Sequence, residues 1–563
     1  MARGNSTYRV AAAMGFAAVL LLGGWASLLL ARSRRPAPPL PAYELPEASA
    51  DEPLPPPPPA ARLAASQELI FNNGVEPQSL DPALMTGLPE HTIALGLFEG
   101  LTGLHPRTLV PVPGVARRWD ISPDGRTYTF HLRPARWSNG DPLTAAHFVY
   151  AWRRALDPDT AAEYAYMLYG IENARAINEG KLGDPKQLGV RAADDHTLVV
   201  RLEHPIAYFL QLTAFGTFAP VHPGCLKAHD DQWTRPAHMV CNGPFVLHEW
   251  RQHERIVLKK NPHYWDAARV ALTTLHILAI DDAETALKKY LNGEVHWIRE
   301  VPGPKVAETS RIPGFRYAPE LGTYFYRFNV TRPPLDDARV RKALNLAVDK
   351  QAIAHYLLRA GQRPARSFVP PILAGYRPVE GPDYDVAEAR RLLAEAGFPG
   401  GRGFPTLELL YNTSEAHKQI AEAIQHMWST HLGIRITLLN QEWKVYLDSM
   451  AHLDYHIARS AWIGDYADAN TFLDCFLTGG GNNRTGWSRP AYDRLIDQAA
   501  REPDPDRRTR LLQDAERILV CDEMPIMPIY FYVNSYLVHP SVRGLYNNAR
   551  NYHPFHYIYI AND

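Results

Sequence analysis

The chain has 563 residues, 46% of them hydrophobic, and its 59 Lys and Arg nearly balance its 60 Asp and Glu. That length implies two to four lobes or domains. The even charge excludes a nucleic-acid binder, which would carry a basic stripe, and the composition is that of a globular body.

The first element is apolar. Val10 to Leu30 runs 21 residues without a charge, between Arg3 and Arg9 on one side and Arg32, Arg34 and Arg35 on the other. At 1.5 Å per residue such a run spans a hydrocarbon core of about 30 Å. It is longer than a usual signal-peptide core and ends without a clean small-residue cleavage site. Residues 1–35 are therefore expected to be an uncleaved membrane anchor, in preference to a cleaved signal peptide. Basic residues on both flanks leave orientation open. Pro36 to Ala60 follows, with eleven prolines in 25 residues. Proline at this density disallows helix and sheet and favours extended polyproline II, about 3.1 Å per residue, so that 36–61 reads as a tether reaching about 75 Å. A linker of untuned length is the alternative.

Helix and strand signals then alternate to the end. Thr127 to Leu132, His196 to Leu202 and Arg255 to Lys259 read as strands, the first two by their alternation of polar and apolar residues. Asp385 to Ala396, Ser414 to His431 and Arg507 to Leu519 read as amphipathic helices, the first stopped by Gly397. Turns are expected at Pro123-Asp-Gly125 and Asn139-Gly-Asp-Pro142. No fixed-period repeat is visible, so the body is mixed α/β. Four cysteines, Cys225, Cys241, Cys475 and Cys521, permit two disulfides in an exported protein. Proximity pairs Cys225 with Cys241 and leaves Cys475 with Cys521; free buried thiols are the alternative.

No H-E-x-x-H, G-x-S-x-G, P-loop or G-x-G-x-x-G occurs. His248 and His253 are five apart, where a helical zinc pair must be four apart, and their flanks read as strand. Gly479-Gly-Gly-Asn-Asn reads as a flexible loop. The sequence therefore predicts no enzyme, no metal and no cofactor. What stands out instead is 411–473, which holds His417, Gln441-Glu-Trp-Lys444 and, within six residues, Arg459, Trp462 and Asp465. A cation, an aromatic plate and an anion suit a ligand charged at both ends, such as a peptide. An internal ion pair beside a core tryptophan is the bland reading.

Further blocks stand in order around that stretch: Asn72-Asn-Gly-Val-Glu-Pro-Gln-Ser-Leu-Asp-Pro82, Leu97-Phe-Glu-Gly-Leu101, Trp137-Ser-Asn-Gly-Asp-Pro142, Asp194-Asp-His-Thr-Leu198, Glu254-Arg-Ile-Val-Leu258, Asn261-Pro-His-Tyr-Trp265, Asp337-Ala-Arg-Val-Arg-Lys-Ala-Leu344 and Tyr530-Phe-Tyr-Val-Asn534. In these the chain, from about residue 68 onward, resembles the family 5 solute-binding proteins of ABC importers, the peptide/nickel-binding family, and most closely its oligopeptide-binding members. The resemblance implies a type II periplasmic-binding-protein-like clamp of two lobes with an additional small domain. By analogy lobe I comprises 62–98, 223–320 and 535–563, the small domain 99–222, and lobe III 321–534. The lobes would close by hinge motion over an extended peptide held through its main chain.

The resemblance assigns residues as well. Asp465 matches the aspartate that meets the peptide amine, followed by Tyr466. Arg459 and His417 match cationic groups for the peptide carboxylate. Trp443 and Trp462 match pocket walls, and Tyr164 and Tyr532 match tyrosines of the cleft. Gly87, Leu88 and Pro89 fall where backbone meets ligand. The pattern departs at Leu358, next to Arg359, and at Met450, where members carry a lysine and an arginine. It departs also at Gly322 and Ile463, where some members have a disulfide, and at Asp468-Ala469, where an acidic-Pro pair is usual. The expected function is capture of short peptides outside the cytoplasmic membrane and their delivery to an ABC permease and its ATPase subunits, by a monomer. A membrane-tethered peptide sensor or chaperone, or a binder of cell-wall (murein) peptides, is the alternative.

Overall fold

A computed structural model gives the fold and describes residues 52–373 and 375–562. The expected anchor at 1–35 and the tether as far as residue 51 lie outside the described residues. Among those described, no helix is long and apolar enough to cross a membrane.

Eleven strands form one long sheet that runs through both halves of the molecule. On one side Phe245–Arg251, Arg255–Lys260, Thr274–Leu278, Glu68–Asn72 and Trp297–Ile298 lie side by side. On the other lie Ile457–Ile463, Leu407–Asn412 and Ile436–Gln441. Two long antiparallel strands, Phe315–Phe328 and Ile526–Val538, join these halves. Their ends at Phe315 and Leu537 sit beside Trp297–Ile298, and their other ends sit beside Ile457–Ile463. Between Pro319 and Thr323 the register shifts. A shift of this kind bends and twists a strand locally, so the two-strand crossing has its natural flexure at 320–322.

The helices start where short acidic side chains satisfy their first N–H groups. Asp385 accepts from the Glu388 N–H at 3.0 Å at the head of Val386–Glu395, and Asp504 from the Arg507 N–H at 2.7 Å at the head of Pro505–Arg517. Glu415–Leu432 stops at Gly433, whose φ of 70° is the left-handed conformation that glycine adopts without strain. These are the three helices expected from sequence.

A smaller antiparallel sheet, Ala116–Ile121, Thr127–Leu132, Thr197–Arg201 and Val190–Asp194, is covered by the helix Ala145–Leu156. Its core residues, Phe130, Leu198 and Trp152 among them, are continuous with Leu69 and Phe71 of the large sheet. Around Tyr324, Leu409 and Trp428 the other half has a core of its own, and a second core around Phe368, Phe472 and Leu519 also takes in Leu104, Leu109 and Ala549. The two halves meet again at the cleft edge. There Tyr466 stacks on Tyr208 at 4.3 Å, and the Ala467 N–H donates to Gln211 at 2.7 Å.

Three expectations are corrected. The end of the proline-rich segment is docked and does not act as a free spacer up to residue 61: Glu52 pairs with Arg107 at 3.0 Å, and Arg269 donates to the Pro55 carbonyl at 2.5 Å. Neither expected cystine forms; Cys225, Cys241, Cys475 and Cys521 are all free thiols, donating to the carbonyls of His238, Phe245, Thr471 and Glu380. The glycine-rich loop is organised, because Asn483 donates to the carbonyls of Phe476, Leu477 and Trp487.

Candidate functional site

Ile457–Ile463 pairs antiparallel with the joining strand, Arg459 opposite Tyr326 and Trp462 opposite Thr323. Side chains alternate across a strand, so Arg459 shares a face with Tyr324 and Tyr326 while Trp462 takes the other. Arg459 is only 8% exposed. It donates to Asn412 and to the Tyr532 hydroxyl, each at 3.2 Å, and lies 4.7 Å from the Tyr324 ring centroid. Among the described residues its Nε is unpartnered and it forms no ion pair. A guanidinium is always charged, and burying one without an anion is costly.

His417 lies in the same cluster, its ring 5.6 Å from that of Tyr324, and its Nδ1 is buried without a partner. Burial first, and then the charge of Arg459, push its imidazole down to about 3. In the ligand-free protein it is therefore neutral at ordinary pH. What it offers a carboxylate is a neutral hydrogen bond. Trp443 is 44% exposed and stacks on Tyr446 at 5.4 Å, while the Tyr446 hydroxyl donates to the Arg459 carbonyl. An exposed indole thus flanks the arginine.

Asp465 lies past the end of the strand, its N–H donating to Thr471 Oγ1 at 3.1 Å. Its carboxyl is half-buried, and desolvation raises it to about 6 against the pull of Arg550 and a hydrogen bond from Tyr166. It forms no ion pair within 4 Å among the described residues. Tyr164 stands on the opposite wall, stacked parallel to Phe215 at 5.8 Å. Burial and the charge of Asp465 push its phenol up, so it stays neutral. Gly87 precedes the helix Leu88–Leu97, and Leu88, 45% exposed, lines the same region. Pro89 is turned toward the body, with its carbonyl accepting from Asn73 at 3.0 Å.

The structure therefore brings Arg459, His417, Tyr532 and Trp443 together at one end and Asp465, Tyr164 and Leu88 at the other. Trp462 packs at the edge of the core around Phe325 and Phe368, on the far face from Arg459. Tyr466 is buried and turned away; its hydroxyl donates to Asp474 at 3.2 Å. Among the departures Met450 is buried, and Leu358 and Asp468 are half-buried. Met450 lies in a small core with Leu410, Tyr446 and Tyr455, and Leu358 packs beside Tyr324's cluster. Asp468 makes a bidentate pair with Arg508 at 2.8 Å. Sequence reasoning missed Tyr166, His91, Arg299 and Arg550, which reach the Asp465 end from separate segments with no local motif to mark them.

The model of the bacterial extracellular solute-binding proteins, family 5, matches residues 110–484. The periplasmic murein peptide-binding protein of Escherichia coli is 40% identical over 493 residues, covering 86% of this chain and 91% of that protein. The periplasmic oligopeptide-binding protein of Salmonella typhimurium is 39% identical over 513 residues, covering 89% and 93%. The crystal structure of the Haemophilus influenzae oligopeptide-binding protein in complex with the peptide RPPGFSPFR superimposes with a TM-score of 0.80 at 35% identity, over 89% of this chain and 100% of that one. With matches of this extent along nearly all of the described body, the chain belongs to the bacterial extracellular solute-binding proteins of family 5.

Proposed function

We propose that the protein is the extracytoplasmic substrate-binding component of an ABC importer for short peptides. The observation that carries this reading is the pair of charged groups without an ion pair, Arg459 among neutral partners and Asp465 with Arg550 facing it beyond ion-pair distance. A peptide supplies one ammonium and one carboxylate. Each would form a charge-assisted hydrogen bond contributing about 1.5–3 kcal/mol, and each would relieve a desolvated charge. In this reading Asp465 holds the amine. Arg459 holds the carboxylate, with His417 and Tyr532 as neutral donors beside it. Trp443, Tyr164, Gly87 and Leu88 shape the space between. The clamp divides as lobe I (62–98, 223–320, 535–563), a small domain (99–222) and lobe III (321–534), hinged on the two joining strands. It works as a monomer on the outer face of the cytoplasmic membrane, held there by its N-terminal segment, and hands peptide to a permease.

Murein peptides are a second ligand class, favoured by the 40% identity to the Escherichia coli murein peptide-binding protein. Mass spectrometry of the ligand that co-purifies tests both. Linear α-peptides support the first class, γ-linked peptides containing diaminopimelate the second, and the absence of any peptide, together with no heat of binding to a tripeptide library, overturns the reading.

A further inference from the structure

Beside Asp465, on the wall formed by the C-terminal tail and the first helix, lies a cavity of about 90 Å³ lined by Leu88, His91, Phe215, Arg299, Arg550 and Tyr552. Three of these offer nitrogen donors and none is an acid. Arg299 donates to Asn73 at 3.0 Å and to Thr92 at 2.7 Å, both neutral, and makes no ion pair within 4 Å among the described residues. The Arg550 guanidinium makes neither hydrogen bond nor ion pair with a described residue; only its backbone N–H is used, by Asn548. His91 leaves a buried Nε2 without a partner, and burial together with Arg550 pushes its ring down to about 4, so it is a neutral donor. The nearby carboxylates are Asp465, which feels Arg550, and Glu320 and Glu300, which both feel Arg299. Burial raises Glu320 to about 7 and raises Glu300 as well, so Arg299 shares two weakened acids while Arg550 faces Asp465 alone.

A charge balance follows. When a ligand amine takes Asp465, Arg550 loses the anion it faces and is left desolvated between closing walls. An unanswered buried charge is strongly unfavourable. The cavity has room for a short side chain, and an acidic one would bring the missing anion to Arg550, Arg299 and His91 together. Resting on the peptide-binding reading above, we propose that Arg550 and Arg299 form a carboxylate subsite that selects ligands with an acidic side chain on their amino-terminal residue.

The test is calorimetric titration of the full-length protein, purified in detergent and freed of bound ligand, with Glu-Ala-Ala and with Gln-Ala-Ala at pH 7.5. These peptides differ only in the charge of the first side chain. The wild-type protein is expected to favour Glu-Ala-Ala by about tenfold, the effect of one charge-assisted hydrogen bond. In Arg550→Met the ratio is expected to fall to near one, and in Arg550→Lys, which keeps the charge, to stay above about threefold. Equal binding of both peptides by the wild-type protein, or a ratio that survives in Arg550→Met, overturns the subsite and leaves the peptide-binding reading intact. If neither peptide binds, both fall. Should Arg550→Met fail to fold, Arg299→Met carries the same expectation of a diminished ratio.

Discussion

Arg459 and Asp465 are six residues apart in the chain and do not meet. Arg459 points from the strand into a nest of tyrosines, whereas Asp465 lies beyond the strand end against Tyr166 and Arg550. A direct pair would have neutralised both groups inside the protein. Their separation leaves one charge at each end of the cleft, which is the complement of a zwitterionic chain.

In the proposed reading Asp465 takes the peptide amine only when ionised. With its carboxyl at about 6 in the free protein, affinity for a tripeptide is expected to fall as pH drops below 6, approaching tenfold per unit, and to be flat near pH 7. It should fall again above about pH 8, as the peptide amine loses its proton. Asp465→Asn removes the acid limb and weakens binding by about ten- to a hundredfold, read by calorimetry. The sign for stability is opposite. A carboxyl whose folded value lies above its unfolded value of about 3.9 favours the folded state at low pH, and this contribution is lost as pH rises through 6. The ligand-free Asn variant should therefore melt at a higher temperature than wild type at pH 7.

Arg459→Met should separate binding from folding. A buried cation among neutral partners costs desolvation, and an apolar side chain of similar length recovers much of it. The ligand-free variant is expected to melt within a few degrees of the wild type. Its preference for a peptide acid over the corresponding amide, about tenfold or more in the wild type, should disappear. A retained preference would move the carboxylate contact elsewhere.

Much of this was legible in the sequence. Asp385, Asp504 and the Leu432–Gly433 stop mark helix ends by local hydrogen bonding and backbone conformation, which short-range rules capture. The alternation in Thr127–Leu132 marks a half-buried strand in the same way. What was not legible depends on neighbours distant in the chain. The charge state of His417 follows from burial beside Arg459, on another element. The burial of Tyr466 follows from its stacking on Tyr208 and its hydrogen bond to Asp474. Trp462 and Arg459 read as one cluster until the pleat puts them on opposite faces. Arg550 arrives on the C-terminal tail, held there by Asn548, which donates to the Pro106 carbonyl at 3.0 Å and accepts from the Arg550 N–H.

The free thiols give a direct chemical check. Denatured, unreduced protein is expected to show four thiols per chain with a chromogenic disulfide reagent; two or none would reinstate a cystine. In the native state Cys521, half-buried, should react first, and Cys241 and Cys475 last, since burial pushes both thiols well up.

The joining strands allow a sharper test of where the clamp bends. Gly322 lies directly opposite Ile463, and a Cβ at Gly322 would collide with Ile463 Cδ1. Cysteine at both positions removes that methyl and sets two sulfurs on facing residues of adjacent strands, a separation at which cross-strand disulfides form. Gly322 is the last residue of the flexure at 320–322, and its pairing with Ile463 ties it to the half that contains Ile457–Ile463, leaving the preceding residues free to bend. The cross-link should therefore staple that half without blocking closure. Gly322→Cys with Ile463→Cys is expected to stabilise the oxidised protein by about 2–4 kcal/mol, through the long loop it closes. Tripeptide affinity should stay within about threefold of the reduced form. Loss of binding on oxidation, restored by reductant, would place the moving joint at Gly322 itself and not in the preceding residues.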